Sequence, residues 1–279
     1  MCGRYASTKA TADIASEFHA VDATGGSESG AEPGSAAYHP DYNVAPTKDV
    51  LTVVARHPRE PAGEADRTRV VRSVRVMRWG LVPSWSKDAS GAARMINARA
   101  ETATEKPAFR KALDARRCLL PADGWYEWQA PAAGTTKAAG KATSKATGAT
   151  VKQPYFITGT DGASLAMAGL WEFWRPAGGG EPLITASVLT TAAVGALAEI
   201  HHRMPLLLAA PDWADWLDPD TGSAAERIGA LLAPPSEELV DRLELRPIST
   251  LVNNVRNEGP QLWERVEPLV TDELALDLG

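Results

Sequence analysis

The reading of the fold turns on residues 154–193. Three runs there, PYFITGT (154–160), ASLAMAGLWEFW (163–174) and PLITASVLTTAA (182–193), are dominated by apolar, β-branched and aromatic side chains. Runs of that composition predict strands. Upstream, CLLPADGWYEWQ (118–129) reads as one further strand, entered from a helix over TEKPAFRKALDARRC (104–118). YNVAPTKDVLTVVARH (42–57) and TRVVRSVRVMRWGLVP (68–83) read as strands associated with proline-bounded turns, and TKATADIASEFHA (8–20) as a short amphipathic helix. Short strands dominate, and the helices fall between them without strict βαβ alternation. The expected class is α+β: a single domain over residues 2–279, built around a mainly antiparallel, barrel-like β-sheet with peripheral helices.

Two segments interrupt the pattern. Residues 24–36 are rich in Gly, Ser and Glu and read as a loop. APAAGTTKAAGKATSKATGATVK (130–152) is low-complexity Ala/Gly/Thr/Lys, too poor in large apolar groups to order itself, and reads as a flexible loop between two strands. Its lysines either touch a polyanion or simply keep a linker solvated. No internal repeat is present.

The whole chain narrows the function classes. Cys2 and Cys118 are the only cysteines among 279 residues, which excludes a disulfide framework or a zinc set and predicts a reducing, cytoplasmic setting. The N-terminus lacks the basic-then-apolar layout of a signal peptide, and no apolar run approaches ~18 residues, so neither export nor membrane spanning is expected. Net charge is −6, yet residues 67–117 carry 13 Lys+Arg against 4 Asp+Glu. A basic segment inside an acidic chain can still face phosphates, because the local field steers. The cations of RVVRSVRVMR (69–78) have a plainer reading, as the exposed side of a strand.

Five islands could carry chemistry. MCGRY (1–5) puts Cys2 behind the initiator; removal of Met1 would leave an α-amine and a thiol on adjacent carbons. MINARAET (95–102) holds Asn97 and Arg99, and ADGWYEW (122–128) holds Glu127 among aromatics that would desolvate it and raise its pKa. EIHHRMP (199–205) ends a short helix with His201, His202 and Arg203, while RWGLVPSW (78–85) offers Trp79 and Trp85 as a stacking surface for unpaired bases. Each has a structural alternative: Asn97 as a helix cap, Glu127 alternating outward on a strand, the histidines complementing a helix dipole. Cys118, in RRCLLP, reads as core.

Taken together, the islands resemble one family. MCGRY, YNVAPT, WGLVPSW, INARAET, ADGWYEW, VLTTAA, IHHRMP and VNNVRN run in the same order as in the SRAP (SOS response-associated peptidase) family, from Cys2 to about Asn257. The resemblance implies abasic-site processing in single-stranded DNA: a covalent DNA–protein crosslink through the N-terminal cysteine, here Cys2, with accompanying lyase activity and self-removal of Met1. It implies catalytic roles for Asn97, Glu127 and His201, the Ile-His-x-Arg-x-Pro pattern selecting His201 over His202. His202 stands where the family often carries Asp. Arg4, Arg99 and Arg203 would hold phosphates beside the lesion, and Trp79, Trp85, Thr190 and Thr191 would contact the strand. No Cys/His spacing suits a metal, and a monomer with no cofactor is expected.

The chemistry of the residues agrees with that carry-over. An α-amine with a pKa near ~7.7–8.0 is partly neutral at physiological pH and can attack the open-chain aldehyde of an abasic sugar to give an imine. The thiol of the same residue then adds to the imine carbon in an intramolecular step, closing a five-membered thiazolidine. Two other classes compete. An N-terminal-nucleophile thiol hydrolase, peptidase or glutamine amidotransferase, also begins with Cys, but the downstream motifs of such amidotransferases differ from these. A non-catalytic DNA-binding module would use the arginines and tryptophans and not Cys2.

Overall fold

The run 154–193 forms three strands, and their neighbours explain why it is apolar almost throughout. The computed structural model describes residues 2–25, 38–58, 64–130 and 152–268. Its strands are β1 (Tyr5–Ser7), β2 (Val21–Asp22), β3 (Asp41–Val44), β4 (Asp49–Arg56), β5 (Val71–Trp79), β6 (Asn97–Arg99), β7 (Arg117–Ala122), β8 (Gly124–Gln129), β9 (Gln153–Gly159), β10 (Leu165–Trp174), β11 (Leu183–Ala192), β12 (Arg203–Pro205) and β13 (Leu243–Pro247). The α-helices are short: α1 (Thr11–Glu17), α2 (Arg110–Ala115), α3 (Leu197–Ile200), α4 (Trp213–Leu217), α5 (Glu226–Leu231) and α6 (Glu237–Val240). Most of the expected loops at 24–36 and 130–152 lie outside the described residues. Among the described residues, no helix is long and apolar enough to cross a membrane.

Strands β11, β10, β7, β4 and β5 pair antiparallel in that order, and β5 returns to pair parallel with β11 at Trp79 and Ala186. The sheet is therefore ring-like. A second sheet, ordered β13-β9-β8-β1-β3, is antiparallel throughout. The expectation of a mixed α+β domain with mainly antiparallel pairing holds.

Alternation along the ring strands splits the core in two. Leu51 and Val53 of β4, Val74 and Val76 of β5 and Leu119 of β7 pack outward with Ile14 of α1 and Phe18 just after it, Leu113 of α2 and Trp216 of α4. Val50 and Val54, Met77 and Trp79, Cys118 and Leu120 point the other way, where Tyr5, Trp125 and Ile157 from the second sheet, and Cys2 ahead of it, meet them. A strand covered on both faces reads as a continuous apolar run, as β10 and β11 do.

One expected strand is corrected. CLLPADGWYEWQ is two strands in different sheets, β7 and β8, with Asp123 at the corner. Asp123 N–H donates to the Ala6 carbonyl at 2.8 Å, and its carboxylate accepts from Thr8 N at 2.6 Å and Thr8 Oγ1 at 2.9 Å. The Thr158 hydroxyl donates to its carbonyl at 2.6 Å. At the next residue a Cβ on Gly124 would fall 2.4 Å from the Ile157 carbonyl oxygen and 2.6 Å from the Phe156 ring, so only glycine lets the two strands approach there. The corner carries ADGWYEW out of the ring and onto the N-terminal strand.

Candidate active site

The site is assembled on the N-terminal segment. β1 runs antiparallel beside β8, with Tyr5 opposite Trp125 and Ala6 opposite Gly124, and Tyr126 N–H donating to the Arg4 carbonyl at 3.0 Å. That register carries residues 2–4 along the Glu127 end of β8. Cys2 is fully buried, and its thiol lies 3.9 Å from the Arg4 carbonyl. Burial pushes the thiol well above its ordinary range, and the neighbouring Glu127 carboxylate pushes it further, so the sulfur holds its proton at neutral pH.

Asn97 arrives from a third direction. β6 lies parallel to β11, Asn97 opposite Val188, with Val188 N–H donating to the Ile96 carbonyl at 2.9 Å. From that position Asn97 Nδ2 donates to the Cys2 carbonyl at 2.7 Å. Its Oδ1 is buried with no hydrogen-bond partner among the described residues. The amide therefore grips the backbone of Cys2 and keeps an acceptor beside it.

Glu127 is 4% exposed, facing inward from β8. Desolvation raises its carboxyl to about 7, against the lowering influence of Lys152. A carboxyl poised there is half protonated at neutral pH and can both give and take a proton. His201 follows the last residue of α3, and Gln129 Nε2 donates to the Glu199 carbonyl at 3.2 Å, tying that helix to the end of β8. His201 is half-buried; burial lowers its imidazole, the Arg203 backbone opposes that, and His202 and Lys152 lower it further, which favours the neutral ring. The two histidine rings sit 4.4 Å apart. Lys152 acts on both Glu127 and His201, so one cation overlooks both.

The residues expected to meet DNA divide into two sets. Arg99 and Trp85 are exposed, the latter at 64%. Trp79 departs from the expectation of a stacking surface: it is fully buried, donates from Nε1 to the Ile96 carbonyl at 2.9 Å and meets Tyr5 edge-to-face at 5.1 Å. It fills the interior and anchors the strand that presents Asn97. Thr190 and Thr191 are likewise buried, and the Thr190 carbonyl accepts from Arg203. The Arg4 guanidinium donates to Asn43 Oδ1 at 2.8 Å, to the Val252 carbonyl and to the Asn253 carbonyl at 3.0 Å, and lies over the Trp128 ring at 5.3 Å. Arg4 thereby secures VNNVRN against the N-terminus. A buried indole N–H and a partly buried guanidinium must find acceptors, and backbone carbonyls supply them for Trp79 and Arg4.

Two neighbours escaped the sequence reading. Glu101 pairs with Arg203 through both carboxylate oxygens. Lys152 belongs to a low-complexity stretch that carries no signal of its charge reaching Glu127. The glutamate stood in INARAET, but no pattern announces a partner 102 positions away.

Comparisons with known proteins give the family and the fold. The SOS response associated peptidase (SRAP) family model matches residues 1–255. The chain is 33% identical over 264 residues to the abasic site processing protein YoqW of Bacillus subtilis, covering 95% of this chain and 99% of that protein. It is 30% identical over 301 residues to the abasic site processing protein HMCES of Gallus gallus, covering 98% and 80%. A crystal structure from Bacteroides thetaiotaomicron shares the fold with a TM-score of 0.67 at 23% identity, covering 95% of this chain and all of that one. With the matched region spanning the N-terminal strand, the Asn97 and Glu127 strands and the histidine turn, the chain belongs to the SOS response associated peptidase (SRAP) family.

Proposed function

We propose that this protein processes abasic sites, capturing the ring-opened sugar in single-stranded DNA as a thiazolidine on Cys2 and so shielding the lesion. The observation that carries the reading is the triple convergence on one residue: the Asn97 amide on the Cys2 carbonyl at 2.7 Å, a buried carboxyl with a pKa of about 7 in its field, and complete burial of its thiol. The names of the relatives, abasic site processing proteins in a bacterium and a vertebrate, support it.

Met1 must first be removed, which frees the Cys2 α-amine. The neutral amine adds to the sugar aldehyde and forms a carbinolamine. Protonated Glu127 gives its proton to the departing hydroxyl, which leaves as water, and the product is an iminium ion. Glu127, now a carboxylate, takes the proton of the Cys2 thiol; the thiolate adds to the iminium carbon and closes the ring. The carboxyl ends as it began. A thiol that holds its proton tightly does not attack first, so the amine leads and the sulfur follows. Asn97 holds the main chain of Cys2 and offers Oδ1 to the amine. His201 works on the sugar and phosphate side, where a neutral imidazole can assist β-elimination. Attack on a sugar carbon needs an unstacked nucleotide, which single strands provide cheaply, and Arg99 and Trp85 are the exposed groups for phosphate and base. The protein acts as a monomer on this reading.

Incubation with a single-stranded abasic oligonucleotide tests it. The expected result is a heat-stable adduct whose peptide map puts the added mass on an N-terminal Cys2, and none from Cys2→Ala. A heat-stable adduct from Cys2→Ala, or from protein whose intact mass still includes Met1, would refute it.

A further inference from the structure

The two halves of the site come from distant stretches: Asn97 opens β6, and His201 precedes β12. A forked ion pair joins them. Arg203 Nη1 donates to Glu101 Oε1 at 2.5 Å and Nη2 to Oε2 at 2.9 Å, while the same Nη2 reaches the Thr190 carbonyl at 2.6 Å. The arginine side chain is 11% exposed and the glutamate 47%. Fork-on-fork pairing fixes direction as well as distance. Glu101 sits in the 3₁₀ turn Ala100–Thr102 that directly follows β6, so it is held by the same strand as Asn97. Arg203 holds its carboxyl below the usual carboxylate range.

At the other end of the pair lies His201. Arg203 N–H donates to His201 Nδ1 at 3.0 Å, and the Arg203 carbonyl oxygen is 3.1 Å from the same nitrogen. The N–H suits a bare Nδ1 and the carbonyl suits Nδ1–H, so a small movement of residue 203 decides which ring nitrogen carries the proton. β12 pairs with β11, Arg203 opposite Ala192, and the His202 carbonyl accepts from Ala193 N–H at 3.1 Å; the fork adds a tie from this turn to the segment that follows Asn97.

We propose that Glu101 is a positioning residue: its forked pair with Arg203 locks the 201–203 turn to the Asn97 strand, so that His201 keeps a single ring tautomer in the site that holds Cys2. The inference rests on the abasic-site reading for its consequence but not for its geometry.

The test has two arms, both using Glu101→Gln in the full chain. Ring ¹⁵N shifts of His201, read by long-range ¹H–¹⁵N correlation without DNA at mildly alkaline pH, should move toward the average of the two tautomers. His202 and Lys152, which also face the ring, are unchanged in the variant. Adduct formation on an abasic single strand should slow about tenfold, with affinity for an undamaged strand changed by less than about twofold. Glu101→Asp, which keeps the charge, should recover part of the rate. An unmoved His201 ring in folded Glu101→Gln overturns the proposal, and so does an affinity change as large as the rate change, which would make Glu101 a competitor of phosphate. Should Glu101→Gln fail to fold, Glu101→Asp carries the NMR comparison with a smaller expected shift, and an unmoved ring there overturns the proposal equally. If wild-type protein forms no adduct, the functional reading fails while the NMR arm still judges the positioning role.

Discussion

The surroundings of Cys2 and Cys118 differ far more than their burial. Both thiols are fully excluded from solvent, and desolvation pushes both well above the ordinary thiol range. Cys118 lies within β7 opposite Gly169, among Leu120, Met167 and other apolar groups, and burial is the whole of its perturbation. Cys2 stands just ahead of β1, its carbonyl held by Asn97 and its thiol in the field of Glu127. Burial by itself makes a thiol inert. What separates the two is a carboxyl that titrates near neutrality beside one of them, together with a backbone position that can end in a free amine.

The sharpest way to break that contrast is Cys2→Ser, which keeps the α-amine and removes the sulfur. Heat-stable adducts should vanish, leaving an imine that survives denaturing gels only after borohydride reduction. A heat-stable adduct without reductant would mean that sulfur is not what distinguishes the two sites. Glu127→Gln comes next. It should slow adduct formation about 10²- to 10⁴-fold and remove the step in the pH–rate profile near 7.

The same variant has a stability signature with a defined sign. The folded chain keeps the Glu127 proton up to about pH 7, whereas the ordinary value is 4.5. Between those values the folded state binds more protons than the unfolded one, so wild-type stability falls as pH rises through the window, by up to about 3 kcal/mol. Denaturant titrations at several pH values should show that fall in wild type and lose it in Glu127→Gln. The smallest effect belongs to Cys118→Ser. Adduct yield should be unchanged, and urea unfolding should report a loss of about 1–3 kcal/mol from a hydroxyl placed among apolar groups. A drop in yield from that variant would blur the contrast between the cysteines.

Much of the fold is legible in the sequence. The runs at 154–160, 163–174 and 182–193 are strands within two residues of their expected bounds, because β-branched and aromatic density reports directly on a doubly covered strand. The corner at Asp123 was not legible. CLLPADGWYEWQ keeps its strand-like character through the break, and what turns the chain is a set of bonds to Thr8, Ala6 and Thr158, residues far away in sequence. Trp79 shows the same limit: an aromatic on a Gly/Pro-rich loop looks like a stacking platform until the acceptor for its N–H turns out to be the Ile96 carbonyl.

The sequence by itself determined the class of the fold, the family and the chemical requirement for an amine and a thiol on one terminal residue, since each is a property of residue type, order or position. Only the tertiary structure decided which polar groups serve the reaction and which serve the architecture. Arg4 and Arg203 are equally cationic in the sequence, as are Arg99 and Lys152, but partners 102 to 249 positions away bind the first pair internally, while the second pair faces solvent. Side-chain type sets what a group can do, and burial with its acceptors sets what it does, because a desolvated charge or N–H must be paired where it lies.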